Sequence, residues 1–205
     1  MKTIVAVAAA ASVLMGVSLF AADAGNSRKA PELTFSLPGK GPQQLSQFKG
    51  KVVALAFMST TCPHCQAKSK ELTKLQEELG GKGLQVLGLA VNQNADLLVE
   101  NFVKDFKVGF PVGWVAPDQM LSFMAFSLDP KERWVVPQLA LIDRKGMIRY
   151  QTTATETPEW DKLMATEALR GHIEELLGVA GSNSAANSMP SHKKTLPGLD
   201  VPARP

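Results

Sequence analysis

The hydrophobic positions between residues 51 and 106 alternate between short apolar runs and longer amphipathic segments. Lys51–Phe57 (KVVALAF) and Leu84–Val91 (LQVLGLAV) are continuous apolar runs, typical of strands that are buried on both faces. Each run is followed by a segment with large apolar residues at helical spacing. These residues are Leu72, Leu75 and Leu79 in the first segment, and Leu97, Leu98, Phe102 and Phe106 in the second, Ala95–Phe106. The order strand, helix, strand, helix predicts a parallel strand pair joined by a crossover, and therefore an α/β fold.

The second half of the chain predicts a hairpin and a final helix. Gln138–Asp143 and Met147–Thr152 are strand-like runs joined by a turn at 143–146. The last helix is expected to end at Gly178 and to bury Trp160, Leu163, Leu169, Ile173, Leu176 and Leu177. Weaker patterns predict a short helix over Asp118–Phe126, and either a strand pair or a loop over Leu33–Leu37 and Leu45–Phe48.

The first residues of the chain have the pattern of an export signal. Lys2 is followed by an uncharged apolar stretch, Thr3–Ala22, and by the small residues of Ala22-Asp23-Ala24. We therefore expect residues 1–24 to be a signal peptide that is cleaved before Gly25. An uncleaved membrane anchor is the alternative, because about 20 apolar residues also span a bilayer. Both interpretations place the remainder in the periplasm or elsewhere outside the cytoplasm, where a cysteine pair can be held oxidised.

The last residues have the composition of a flexible tail. Gly181–Pro205 is rich in Ser, Asn, Pro and Gly and lacks apolar periodicity, so it cannot offset its ordering entropy by burial. We assign residues 179–205 to this tail and residues 28–178 to a single domain. The net charge of the 205-residue chain is +3, and no basic patch suggests a nucleic-acid partner.

The candidate chemistry lies in the only two cysteines of the sequence, Cys62 and Cys65, which are spaced C-P-H-C. Two cysteines so close together cannot staple distant parts of a fold, which excludes a disulfide-rich scaffold. They lie where the first predicted strand gives way to a helix. If Cys62 is the N-cap and Pro63 the first helical residue, the Cys62 sulfur faces the free backbone N–H groups of His64 and Cys65. These donors and the positive helix end favour a thiolate, which makes Cys62 the expected nucleophile.

The other residues of the motif are expected to tune and complete the exchange. A protonated His64 adds positive charge beside the Cys62 thiolate, and stabilising the reduced form makes the disulfide a stronger oxidant. Cys65 lies about one turn further inward and is predicted to be the resolving thiol. The redox-active Cys62–Cys65 pair then serves as the reactive group itself, with no cofactor and no metal.

Two other uses of the cysteine pair are weaker. A disulfide that only braces the fold would close a very short loop, worth about 2 kcal/mol against about 4.7 kcal/mol for a 100-residue loop. A closed zinc site needs four ligands, and neither His172 nor His192 has a second ligand beside it.

Four stretches carry a resemblance to a known family. They are Ala30–Phe35 (APELTF), Leu45–Phe57 (LSQFKGKVVALAF), Thr61–Cys65 (TCPHC) and Val136–Gly146 (VPQLALIDRKG). The chain resembles the thioredoxin superfamily, and within it the extracytoplasmic redoxins of the TlpA and AhpC/TSA-like type. The C-P-H-C motif alone is similar to that of DsbA-type oxidants. The resemblance implies a thioredoxin-like fold, in which a central mixed β-sheet is flanked by helices.

The resemblance also implies a substrate-binding element. Pro137 would follow a cis peptide bond and pack beside the cysteines, while Val136 would offer backbone groups to an extended substrate peptide. A trans proline at a strand entrance is the alternative. Trp134 is expected either to line the substrate groove or to pack on the core.

The sequence departs from the family where a carboxylate often accepts the proton of the second cysteine. Ala56 stands at the strand position and Lys68 at the helix position, so the proton acceptor is not identified. Glu71 is the nearest acidic residue downstream.

The function that this resemblance favours is an extracytoplasmic thiol–disulfide oxidoreductase. Its expected partners are protein thiols and disulfides, together with a membrane or periplasmic redox partner, and the direction of exchange is open. A thiol peroxidase is a second hypothesis, although Leu55 and Ser59 stand where that family has a proline and a threonine. A copper chaperone is a third, because thiolates suit Cu(I).

Overall fold

A mixed eight-stranded β-sheet runs through the part of the protein that the computed structural model describes, residues 27–179. Its strands are β1 (Arg28–Lys29), β2 (Thr34–Leu37), β3 (Gly41–Gln44), β4 (Val52–Met58), β5 (Leu84–Ala90), β6 (Val112–Trp114), β7 (Gln138–Ile142) and β8 (Met147–Gln151). The α-helices are α1 (Pro63–Leu79), α2 (Ala95–Phe106), α3 (Pro117–Met124), α4 (Pro158–Met164) and α5 (Thr166–Leu177).

Strand β4 occupies the middle of the sheet, whose strand order is β1-β8-β7-β4-β5-β6-β2-β3. It pairs in parallel with β5, as the hydrophobic pattern predicts, and antiparallel with β7. The hairpin of β7 and β8 is also confirmed. The registers place Met58 opposite Ala90 on β5 and Phe57 opposite Gln138 on β7. The segment after β4 therefore lies between the segment after β5 and the segment before β7.

Alternate residues of β4 enter cores on opposite faces of the sheet. Val52, Ala54, Ala56 and Met58 contact the face covered by α1, α2, α4 and α5. Val53, Leu55 and Phe57 contact the face covered by α3 and the N-terminal strands. All seven residues of β4 are buried, which confirms the prediction of a strand enclosed on both sides.

The hydrophobic pattern misplaces one side chain of α2. Leu97 was expected to face inward, but its side chain is 71% exposed. The inward stripe of this helix is Ala95, Val99 and Phe102, with Phe106 partly buried at its end. Leu97 lies about 200° around the helix from Ala95, since each residue turns the helix by about 100°.

The final helix is interrupted, contrary to the prediction of one continuous helix. Ala165 has φ −64° and ψ 131°, an extended conformation that separates α4 from α5. The step from Leu163 to Leu169 is not a helical repeat of three, four or seven residues, and the break accommodates it. Both buried residues then face the same core.

The N-terminal region was expected to form either a strand pair or a loop, and the pairing of Leu33–Leu37 with Leu45–Phe48 is wrong. The partner of β2 is β3, Gly41–Gln44, whereas Leu45–Phe48 forms a 3₁₀ helix. Leu45 remains buried in this turn and Phe48 packs against the same core. The short helix expected at Asp118–Phe126 is confirmed as α3.

The described residues contain no helix that is both long and apolar enough to cross a membrane. The predicted leader at residues 1–24 and the predicted tail from residue 180 onward lie outside them.

Candidate active site

The cysteine motif begins directly after the loop that follows β4. Cys62 is the N-cap of α1, with φ −84° and ψ 121°, and Pro63 is the first helical residue, as predicted. Proline suits this position because its missing N–H has no helical partner to lose. The carbonyl of Cys62 accepts the first helical bond from Gln66 N–H at 3.0 Å. Both Pro63 and His64 are exposed at this end of the helix.

The Cys62 side chain makes its hydrogen bond outside α1. The sulfur accepts no bond from the backbone N–H groups of α1, so the expected contact with His64 and Cys65 N–H is wrong. The Cys62 thiol instead donates to the carbonyl oxygen of Val136, with an Sγ–O distance of 3.8 Å. A protonated thiol has a hydrogen to donate, and a carbonyl accepts it, whereas the helix amides require an acceptor. Cys62 as a residue is partly exposed to solvent.

Cys65 occupies the opposite environment, although it lies only one turn along α1. Its side chain is fully buried in the core beneath the helix. The Cys65 sulfur accepts a hydrogen bond from Ser59 N–H at 3.4 Å. Burial raises the pKa of the Cys65 thiol, the Ser59 amide opposes that rise, and the adjacent Cys62 sulfur adds to it. Both cysteines are free thiols in this structure.

The segment before β7 forms the second wall of the site. The peptide bond between Val136 and Pro137 is cis, as the resemblance implied. Pro137 is buried and Val136 is partly buried. Because Gln138 pairs with Phe57, the β4–β7 register brings Val136 and Pro137 beside the end of β4, where the cysteine loop starts. Trp134 packs, partly buried, against the core on the α3 face.

The two positions where the family often has a carboxylate hold other groups. Ala56 is fully buried. Lys68 is also buried, and its Nζ donates to Glu71 Oε2 at 2.5 Å and to the Met164 carbonyl at 2.7 Å. Glu71 Oε2 also accepts from the Thr166 hydroxyl at 2.8 Å. Glu71 is thus engaged with Lys68 and Thr166, and no carboxylate within residues 27–179 hydrogen-bonds to either cysteine sulfur.

The loop between β4 and α1 is held by side chains that the sequence analysis did not identify. Thr60 N–H donates to Asn92 Oδ1 at 3.0 Å, and Asn92 Nδ2 donates back to the Thr60 hydroxyl at 3.1 Å. The Thr60 carbonyl accepts from Gln66 Nε2 at 3.1 Å. Asn92 lies just beyond the carboxyl end of β5, an edge where polar residues often serve a site in parallel sheets. The position of Asn92, a polar residue directly after a predicted buried strand, was the signal in the sequence that could have identified it.

The described residues contain no group of three or more His, Cys, Asp or Glu side chains arranged to hold a metal ion. His64 is exposed, while the ring of His172 stacks on Tyr150 with centroids 3.9 Å apart.

Solved structures with this architecture include two thiol:disulfide interchange proteins. One, a thioredoxin family protein from Chlorobium tepidum, has a TM-score of 0.59 at 20% identity, over 75% of this chain and 98% of that one. The other, from a Bacteroides species, has a TM-score of 0.59 at 17% identity, over 78% of this chain and 94% of that one. These similarities confirm the predicted thioredoxin-like fold.

Relatives by sequence include proteins named thiol-disulfide oxidoreductase ResA. The protein from Geobacillus thermodenitrificans is 30% identical over 148 residues, which cover 72% of this chain and 75% of that protein. The protein from Bacillus thuringiensis is 28% identical over 116 residues, which cover 57% of this chain and 62% of that protein. The match thus spans less than two thirds of the length of the Bacillus relative. A family model described as Redoxin matches residues 24–169, a range that contains all eight strands described above and both cysteines. The chain therefore belongs to the Redoxin family.

Proposed function

We propose that this protein is a thiol–disulfide oxidoreductase that exchanges its Cys62–Cys65 pair with partner proteins outside the cytoplasm. The observation that carries the proposal is the unequal burial of the two cysteines within one helical turn. Cys62 is open to a partner, and Cys65 lies fully buried behind it. The relatives named thiol-disulfide oxidoreductase support the activity. The apolar stretch Thr3–Ala22 supports export.

The exchange takes place in two steps. The Cys62 thiolate attacks one sulfur of a partner disulfide, forms a mixed disulfide, and releases the other partner sulfur as a thiolate. Cys65 then loses its proton to solvent and attacks the Cys62 sulfur. The second partner thiolate leaves, so the partner disulfide is reduced by two electrons and the Cys62–Cys65 dithiol is oxidised. The reverse sequence oxidises a partner dithiol, and a membrane or periplasmic redox partner restores the pair.

Val136 and Pro137 form the proposed binding edge for a partner peptide. The Val136 carbonyl accepts a hydrogen bond from the Cys62 thiol. A partner peptide whose cysteine reacts with Cys62 would therefore lie next to the backbone polar groups of Val136. An extended peptide can bind such an edge by main-chain hydrogen bonds, which tolerate many side-chain sequences. This arrangement suits an enzyme that acts on several partner proteins.

The activity is tested by trapping the mixed disulfide. The Cys65→Ser protein, treated with oxidised glutathione, is expected to retain one glutathione on Cys62, as measured by intact mass and peptide mapping. The wild-type protein is expected to resolve the adduct and to form its internal disulfide. Cys62→Ser is the matched control and should acquire little adduct, because Cys65 is buried. A Cys65→Ser protein without adduct would contradict the proposal.

Two further measurements separate the remaining alternatives. A reduction potential of about −270 mV would identify a thioredoxin-like reductant. A reduction potential of about −120 mV would identify an oxidant like DsbA. Peroxide consumption that continues in Cys65→Ser with added thiol would favour a thiol peroxidase instead.

A further inference from the structure

The loop of residues 59–61 is held in place through all three polar groups of Thr60. Its N–H and its hydroxyl bond to the side-chain amide of Asn92, at 3.0 and 3.1 Å, and its carbonyl accepts from Gln66 at 3.1 Å. Thr60 itself is only 6% exposed. A residue bonded on every side in a buried setting has little freedom to move. Ser59 beside it is also held directly, because its carbonyl accepts from Cys62 N–H at 3.2 Å and the preceding Met58 carbonyl accepts from Val91 N–H at 2.9 Å.

Ser59 carries the hydrogen-bond donor that reaches the buried cysteine. Its N–H lies 3.4 Å from the Cys65 sulfur. A backbone amide favours a thiolate over a thiol because an ionised acceptor makes a stronger hydrogen bond. Cys65 must ionise to resolve a mixed disulfide, and it must do so in a fully buried position.

Other charged groups do not take over this role. Lys68 Nζ is bonded to Glu71 and to the Met164 carbonyl, and Glu71 is bonded to Thr166. Within residues 27–179, the Ser59 amide is the hydrogen-bond donor from another residue that reaches the Cys65 sulfur, and it supports the ionised form.

We infer that Asn92 and Gln66 are positioning residues for the resolving step. By their hydrogen bonds to Thr60, they help to hold the neighbouring Ser59 N–H at hydrogen-bonding distance from the Cys65 sulfur. The inference rests on the proposed function. In the step concerned, Cys65 releases its proton to solvent, a bond forms between the Cys65 and Cys62 sulfurs, and the Cys62–partner bond breaks. The partner sulfur leaves as a thiolate.

The test uses the reduced full-length protein and the aromatic disulfide dithiobis(nitrobenzoate), mixed rapidly. Attack by Cys62 releases one coloured thiolate at a rate proportional to reagent concentration. Attack by Cys65 releases the second at a rate that is independent of reagent concentration. The two steps can therefore be measured separately in one experiment at each pH.

Asn92→Ala is expected to slow the second phase about threefold to tenfold, as befits one weakened hydrogen bond, and to shift its pH profile upward. The first phase should change little. Gln66→Ala, in which alanine suits the helix, should act in the same direction with a smaller effect and serves if Asn92→Ala does not fold. Gln93→Ala removes an exposed amide side chain next to Asn92 and is the matched control; it should match wild type in both phases.

Three outcomes would overturn the inference. The first is a second-phase rate that is unchanged in both Asn92→Ala and Gln66→Ala. The second is an equal slowing of both phases in these variants. The third is a second phase that slows as much in Gln93→Ala as in Asn92→Ala. Failure of the proposed function itself looks different, because the wild-type protein would then release no second thiolate.

Discussion

The two strands that flank β4 serve different cysteines. On the β7 side, the Val136 carbonyl contacts the partly exposed Cys62. On the β5 side, Asn92 fixes Thr60, and the adjacent Ser59 amide contacts the buried Cys65. In the proposed exchange, the β7 flank faces the partner and is expected to affect attack by Cys62, and the β5 flank is internal and is expected to affect resolution by Cys65. The difference suggests how one sheet edge can adjust two adjacent thiols separately.

The largest expected effect is a loss of stability at Lys68, a buried residue of α1 whose Nζ bonds to Glu71 and to the Met164 carbonyl. Lys68→Met should lower the free energy of unfolding by about 2 kcal/mol, because the Met164 carbonyl and Glu71 both lose a buried partner. Urea unfolding measures this loss. Lys74→Met, at an exposed position on the same helix, is the control and should change little.

The same variant should keep both kinetic phases of the thiol reaction at wild-type rates. Lys68 Nζ is directed toward Glu71 and Met164, and neither cysteine sulfur is among its partners within residues 27–179. A second phase that slows as much as in Asn92→Ala would mean that the Lys68 ammonium acts on Cys65, and the assignment of flanks would need revision.

The next effect is a pH dependence of stability that arises from Cys65. Because burial raises its pKa in the folded state, Cys65 stays protonated where the unfolded chain already ionises, above about pH 9. The folded state then binds more protons, so stability falls as pH rises. The reduced wild-type protein should lose about 1.5 kcal/mol between pH 8 and pH 10 relative to reduced Cys65→Ser.

Urea midpoints of the two reduced proteins across this range measure the effect. Both proteins keep Cys62, so their difference isolates Cys65. A difference that stays constant with pH would show that Cys65 ionises as easily in the folded protein as in the unfolded chain, which contradicts its assignment as the internal thiol.

The smallest effect concerns the partner-facing flank. Val136→Glu puts a negative charge near Cys62 and should slow the first kinetic phase about threefold, since the charge disfavours the Cys62 thiolate. The second phase should change less. Val136→Gln is the matched control without charge, and added salt should reduce the difference between the two variants. Equal slowing by both variants would point to altered packing instead.

Sequence patterns predicted most of the fold because buried strands and amphipathic helices have distinct periods. The bounds of α2 are those expected, yet Leu97 faces solvent, since hydrophobicity alone does not fix which stripe of a helix faces the core. The break at Ala165 and the strand β3 were not predicted, because neither has a local signal in the sequence. Ala165 is a good helix former, and Gly41–Gln44 contains no apolar alternation.

The site was predictable where the chemistry is local. Cys62 as N-cap and Pro63 as first helical residue follow from adjacent positions in the sequence. The direction of the Cys62 sulfur did not follow, because its acceptor, Val136, lies 74 residues away. Asn92 and Thr60 are separated by 32 residues, and only the parallel pairing of β4 and β5 brings them together.

The separate control of the two cysteines is tested most directly by combining one variant from each flank. Both phases of the reaction with dithiobis(nitrobenzoate) are measured for Val136→Glu, Asn92→Ala and the double variant. We expect Val136→Glu to slow mainly the first phase, Asn92→Ala mainly the second, and the double variant to show both effects multiplied. Slowing of both phases by each single variant, or a clear departure from multiplication, would contradict the account.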